Sequence, residues 1–240
     1  MALIRGRRQL TLQNNCFSLR LAIILLCSFL IAAATACSPN PPQIQSVSTR
    51  LILYPGDNGK TEERLSMFIA VRDTDGIGDI EHVFIYSSNA ELLWNLTSAN
   101  WTIHKDAGEY WIGSNGLASP SGIIPRDTYT LEIIDRAGEK IQKQVPVLAP
   151  QKLPNNLPVI SKGTQHGTLI IQSDYTQLTL FIFDSGNNVL KALPVANGTI
   201  QLEKLWGNNS WKEQAVSCAL YAYDARNQIG MFSWKIPINK

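Results

Sequence analysis

The chain has 240 residues, room for one or two domains of ordinary size. Its 45 % hydrophobic and 17 % charged content excludes disorder over most of its length. The formal charge of +2 is unevenly placed: residues 1–36 hold Arg5, Arg7, Arg8 and Arg20 and no acid, so of 21 basic residues 17 remain against 19 acidic ones. A body this close to neutral lacks the basic stripe that nucleic-acid binding requires.

Residues 1–20 are polar and basic, and Leu21 to Ala36 then runs uncharged for sixteen residues. A bilayer-spanning helix asks for about 20. A basic stretch, an apolar run and the small residues Ala34-Thr35-Ala36 follow the order of a secretory signal peptide. Cys37 comes next, and the whole resembles the lipobox of bacterial lipoproteins, with Ala34 where that family prefers leucine. The resemblance implies a diacylglycerol group on the Cys37 thiol, an acyl chain on its new amino group, and anchorage in a membrane. Cleavage after Ala36 with Cys37 unmodified is the alternative. Ser38, where an inner-membrane lipoprotein would carry aspartate, points on the same resemblance to the outer membrane. Residues 37–45, with Pro39, Pro41 and Pro42, read as a lipidated tether that cannot continue a helix. Three acyl chains would exceed the two signals that stable anchoring needs. Cys16 and Cys27 leave with the leader, so Cys218 has no partner for an intramolecular disulfide. It sits in an apolar run and reads as buried and inert.

Beyond residue 45 the signal is all-β. Short β-branched and aromatic runs recur at Arg50–Tyr54, Leu65–Arg72, His82–Tyr86, Tyr129–Ile134 and Ile141–Val147. They resume at Thr168–Gln172, Gln177–Phe183, Thr199–Leu202, Ser217–Tyr223 and Met231–Ile236. Turn residues such as Asp75-Gly76, Ala137-Gly138 and Asn197-Gly198 separate them, the spacing of antiparallel sandwiches. Residues 88–103 leave room for a helical turn. Residues 150–158 hold three prolines and read as a linker between one sandwich at 46–149 and another at 159–240. The halves echo each other weakly: Leu131–Asp135 matches Leu220–Asp224, and Val145-Pro-Val147 matches Ile236-Pro-Ile238. Val71–Ile77 and the run from Pro125 through Tyr129 to Gly138 resemble strand and turn motifs of bacterial Ig-like domains, with Asp127 in place of a glycine. Leu180–Gly186 resembles the corresponding turn of fibronectin-III-like modules.

Asp73, Asp75 and Asp79 fall within seven residues, and oxygen ligands at alternate positions suit calcium. An EF-hand is excluded by Ile77 and Phe84, and a turn whose aspartates cap backbone N–H groups is the plainer reading. His82, His104 and His166 are isolated. Trp94, Trp101 and Trp111 cluster among amides and charges, and Trp206 and Trp211 flank a loop; each set is a candidate binding patch for a protein or glycan, or else core packing. Four Asn-x-Ser/Thr triplets, at Asn95, Asn100, Asn197 and Asn208, are coincidental in a bacterial lipoprotein. No catalytic motif stands out. The sequence reads as a membrane-anchored, non-catalytic envelope lipoprotein, either a binding or adhesion module or an accessory subunit of an envelope assembly.

Overall fold

The computed structural model describes residues 40–57, 59–154, 156–206 and 210–238. The leader and residues 37–39 of the tether, Cys37 among them, lie outside the described residues. In the first half stand β1 (Gln43–Pro55), β2 (Thr61–Arg72), β3 (Ile80–Ser87), β4 (Leu92–Leu96), β5 (Thr102–Asp106), β6 (Glu109–Ala118), β7 (Thr128–Asp135) and β8 (Lys140–Pro146). The second half holds β9 (Val159–Lys162), β10 (Thr168–Gln172), β11 (Gln177–Phe183), β12 (Val189–Val195) and β13 (Gly198–Gln201). The helix α1 (Leu202–Trp206) and the strands β14 (Ser217–Asp224), β15 (Ile229–Phe232) and β16 (Ile236–Pro237) complete it. The protein is all-β, as its pattern predicts. β1 starts at Gln43, so the last tether residues are already strand, and residues 88–103 hold β4 between two turns rather than a helical turn.

Alternation builds the layers. On β2, Leu65, Met67, Ile69 and Val71 are buried, and on β7 every second residue from Tyr129 to Ile133 is fully covered. A four-stranded sheet, β4-β3-β7-β8, closes over the β1-β2-β6 region to make one core. A three-stranded sheet, β13-β10-β9, and α1 close the other core, over β11, β14 and β15.

Both cores rest on one sheet. Its order is β12-β11-β14-β15-β1-β2-β6-β5, with β16 attached to β14. β1 pairs antiparallel with β2 and parallel with β15, setting Leu51 opposite both Leu65 and Ile229. The proline-rich segment therefore links two cores without parting two free-standing sandwiches, and the β1–β15 ladder departs from the all-antiparallel pattern expected. Leu51 packs on both cores and Leu53 on the second, so the two small sheets cover the same face of the long one. Among the described residues no layer covers its opposite face. The echo between halves does not extend to pairing, because β7 lies in a small sheet and β14 in the long one.

The Pro125–Gly138 segment forms β7 and the turns on either side of it. Tyr129 is fully buried and its hydroxyl donates to the Pro125 carbonyl at 2.9 Å, a tyrosine corner at the start of β7. Asp127 accepts hydrogen bonds from the Ser87 hydroxyl, Asn89 Nδ2 (3.2 Å) and the Thr128 N–H (2.7 Å), pinning the β3–β4 turn. A glycine could not do this.

Hydrogen bonding holds three turn carboxylates below their usual range, from Ser87 first at Asp127, Asn188 at Asp184 and Asn227 at Asp224. Groups depressed in this sense lend stability above the unfolded aspartate value of about 3.9 and lose it as pH falls through the folded values. The urea midpoint is expected to hold from about pH 7 to 5 and to drop below about pH 4. A midpoint that rises on acidification would contradict this account.

Candidate functional site

Alternation along four strands places Arg50, Ile52 and Tyr54 of β1, Phe181 and Phe183 of β11, Ala219, Tyr221 and Tyr223 of β14, and Phe232 of β15 on the uncovered face. Such a face is ordinarily polar. Here it is aromatic. Tyr54 and Phe232 stack with centroids 4.9 Å apart and planes 13° from parallel. Phe232 also meets Tyr221 at 5.0 Å and Phe181 at 5.6 Å, and Phe181 meets Tyr221 edge-on at 6.0 Å. Tyr221 lies down across Gly230, where a Cβ would sit 2.7 Å from the ring's Cε2. The absence of a side chain there lets the ring lie across the sheet.

These rings enclose a trough of about 620 Å³ over Ile52 and Ala219, within the usual size range of ligand pockets. Arg50 stands at one side, its Cζ 4.4 Å from the Tyr223 ring centre and its Nη1 donating to the Tyr221 hydroxyl at 3.4 Å. Lys235 stands at another, its Nζ 3.9 Å from the Phe183 centre and donating to Asn187 Oδ1 at 2.8 Å. Among the described residues no carboxylate lines the trough. Trp234, 54 % exposed, forms its rim. Burial, aided by Tyr221 and opposed by Arg64, holds the Tyr54 phenol above its ordinary value, so it remains a neutral donor at physiological pH.

The tryptophans singled out from sequence sit elsewhere. Trp94 is half-buried, 5.6 Å from Tyr129, and its Nε1 donates to the Ala118 carbonyl at 2.8 Å, tying β4 to the long sheet. Trp101 packs on the first core. Trp111 lies on the uncovered face at β6, stacked on His104 at 6.3 Å. Trp206 is buried in the second core and Trp211 meets it edge-on at 5.1 Å, so that pair is core packing and not an exposed patch. The turn around Asp73 also differs from expectation. Asp75 only donates its backbone N–H to Asp73 Oδ1 (2.8 Å), and the third carboxylate gathered with Asp73 and Asp79 is Asp135, from the end of β7. Among the described residues the histidines join no metal-binding group. Cys218 is buried and its thiol is pushed up to about 12 by burial, which makes it inert, as its apolar context predicts.

No family model and no curated protein matches the chain. Among solved structures it is similar to dimeric latent PorU from Porphyromonas gingivalis, with 14 % identity, TM-score 0.35, and coverage of 82 % of this chain and 20 % of that one. It is similar also to the BSP domain of a biofilm-associated protein, with 14 % identity, TM-score 0.28, and coverage of 84 % and 29 %. A third is Tp47, the 47-kilodalton lipoprotein of Treponema pallidum, with 14 % identity, TM-score 0.32, and coverage of 82 % and 51 %. The chain thus spans from a fifth to about half of these proteins. Among the described residues no helix is long and apolar enough to cross a membrane.

Proposed function

We propose that this chain is a non-catalytic envelope protein, anchored through lipid on Cys37, that binds a protein partner in the aromatic trough. The observation that carries the reading is the trough itself: tyrosine, phenylalanine, tryptophan and arginine on a sheet face that lacks a covering layer. Tyrosine, tryptophan and arginine are the residues that dominate binding energy at protein interfaces. Two cations and no acid select a partner segment that alternates apolar and acidic side chains. Asn115, which lines the trough and accepts from the Ser66 hydroxyl at 2.7 Å, offers its amide for orientation.

The test uses a photo-crosslinking residue at Trp234 in the chain expressed in its own cells, with the same residue at exposed Lys143 on β8 as control. The Trp234 position is expected to give a discrete adduct that Arg50→Glu reduces by about tenfold, the loss typical of a central interface residue. Equal labelling at both positions, or an adduct indifferent to Arg50→Glu, would overturn the reading. In the same cells Cys37→Ser is expected to abolish incorporation of labelled palmitate and to release the protein from membranes. Persistence of both would overturn the anchor. Protease digestion of intact cells favours adhesion, and protection until permeabilisation favours a periplasmic assembly subunit.

A further inference from the structure

The long sheet ends in two edges, and they differ. At one end β12 carries Pro194, which has no N–H to offer a further strand, and an exposed Lys191. At the other end β5 pairs only with β6 among the described residues, and every residue of β5 is exposed. It holds no proline, and its Ile103 is 46 % exposed. An edge of this kind is a template for another strand.

The backbone directions follow from the turn. Ala107 and Gly108, at φ 49° and 87°, join β5 to β6, with Asp106 opposite Glu109. The pair that closes a two-residue turn is hydrogen-bonded, and bonded pairs then alternate along the ladder. Thr102, His104 and Asp106 therefore direct their backbone groups to β6, while Ile103 and Lys105 direct theirs to the open edge. The long side chains leave that edge bare. Lys105 is the residue that would guard it, yet its Nζ lies 5.0 Å from the centre of the Tyr110 ring on β6, drawn back over its own sheet. His104 leans inward as well, 6.3 Å from Trp111 and 5.6 Å from Phe68 of β2.

We infer that β5 is a dimerisation edge, pairing antiparallel with β5 of a second copy about a two-fold axis at His104. The free backbone groups select this register. Centred on Lys105, the pairing would set two ammonium groups against each other. Centred on Ile103, it would carry Lys105 past the end of the opposing strand. Centred on His104, Ile103 faces Lys105 of the other copy in both directions, and each of these pairs exchanges both N–H···O bonds. Thr102 then meets Asp106, a hydroxyl donor beside a carboxylate, and lysine never faces lysine. The axis stands perpendicular to the sheet, so the aromatic faces of both copies lie on one side and their troughs open the same way. The pairing does not depend on what the troughs hold. A strand this short makes a small interface, suited to a high local concentration, so the test is made in cells.

Single cysteines are placed in the full chain in its own cells, with copper phenanthroline as oxidant. Residues directly opposite at a non-hydrogen-bonded site have Cα atoms about 4.5 Å apart, within disulfide reach. His104→Cys is therefore expected to give a reducible dimer above the wild-type background. Thr102→Cys, whose equivalents stand about 13 Å apart along the strand, is expected to give about tenfold less. Equal yields at the two positions, or no dimer above wild type, would overturn the pairing. Ile103→Lys in the His104→Cys background sets a lysine against Lys105 and is expected to lower the yield about fivefold. Adding Lys105→Glu puts a carboxylate opposite that lysine and should restore the yield, which a folding defect would not allow. A yield indifferent to Ile103→Lys, or a loss that Lys105→Glu leaves unrestored, would overturn the register.

Discussion

Gly113→Ala is expected to destabilise the protein by about 4 kcal/mol, well beyond the usual range for a single methyl group. Gly113 stands in β6 opposite Phe68 of β2, beside the point where the register shifts between Leu65 and Met67. A Cβ there would overlap the Met67 carbonyl oxygen and lie 2.7 Å from the Phe68 Cα. Both are backbone atoms of a central strand, so neither can swing aside as a flexible side chain would. Relief requires β2 and β6 to separate, which breaks ladder hydrogen bonds and opens the core around Met67 and Ile112, both fully buried. Gly116 is the matched control in the same strand. Its added Cβ would meet nothing closer than Ser114 Oγ at 3.7 Å, so Gly116→Ala should change stability by less than about 0.5 kcal/mol. Urea unfolding of both variants measures the contrast, with an unchanged m-value required for the comparison. Similar costs at the two positions would show that loss of glycine, and not the close approach, controls the strand.

Legibility in the sequence followed the burial pattern. β10 and β11 were readable to their ends, because Thr168–Gln172 and Gln177–Phe183 are apolar runs bounded by turn residues. β5 and β12 were not: β5 is exposed along its whole length, and β12 has no fully buried residue, with only Leu190, Leu193 and Val195 half-buried against the second core. The Tyr129 corner was legible as a local motif, since its partner Pro125 is four residues away. The trough was illegible for the opposite reason. Tyr54 and Phe232 meet only because β1 pairs with β15, and a parallel pairing across the proline-rich segment leaves no local signal. Clustered tryptophans such as Trp94 and Trp206 are conspicuous in the sequence but pack on the cores, whereas Trp234 stands at the trough's rim with no neighbouring tryptophan to mark it. The acidic group was half legible. Asp73 and Asp79 share a turn, while Asp135 arrives through the β3–β7 ladder that sets Ile80 opposite it.

The sharing of one sheet explains why its back is available at all. Each small sheet covers only its own stretch of the front face, and β1 and β15 carry side chains to both sides at the junction. Ile52 and Ala219 are buried on the back face only because the aromatic rings lie over them. The rings thus seal the junction and present a binding surface at once, so alanine substitutions there should be read for folding as well as for binding.

Glu63→Ala is expected to cost about 3 kcal/mol, the usual penalty for stripping a partner from a largely buried charge. Glu63 is 7 % exposed, an inward-pointing acid near the start of β2. Its carboxylate receives the Arg126 fork, Nη2 to Oε1 at 2.7 Å and Nη1 to Oε2 at 2.8 Å, and Oε2 also accepts the Ile124 N–H at 2.9 Å. The Glu63 N–H donates to the Gly122 carbonyl at 2.8 Å. One residue of the long sheet thereby holds the crossover from β6 to β7, the segment whose Pro125 carbonyl anchors Tyr129. Alanine leaves the half-buried Arg126 without its counter-charge, with only the Ile124 carbonyl to accept from it, and strips the Ile124 N–H of its acceptor. The double variant Glu63→Leu/Arg126→Met removes both charges and should recover most of the loss, since an apolar pair of similar volume can replace a buried ion pair at little cost. Denaturant midpoints for the two variants decide the matter: a double variant as unstable as Glu63→Ala would mean that the Ile124 hydrogen bond, and not the charge, fixes the crossover.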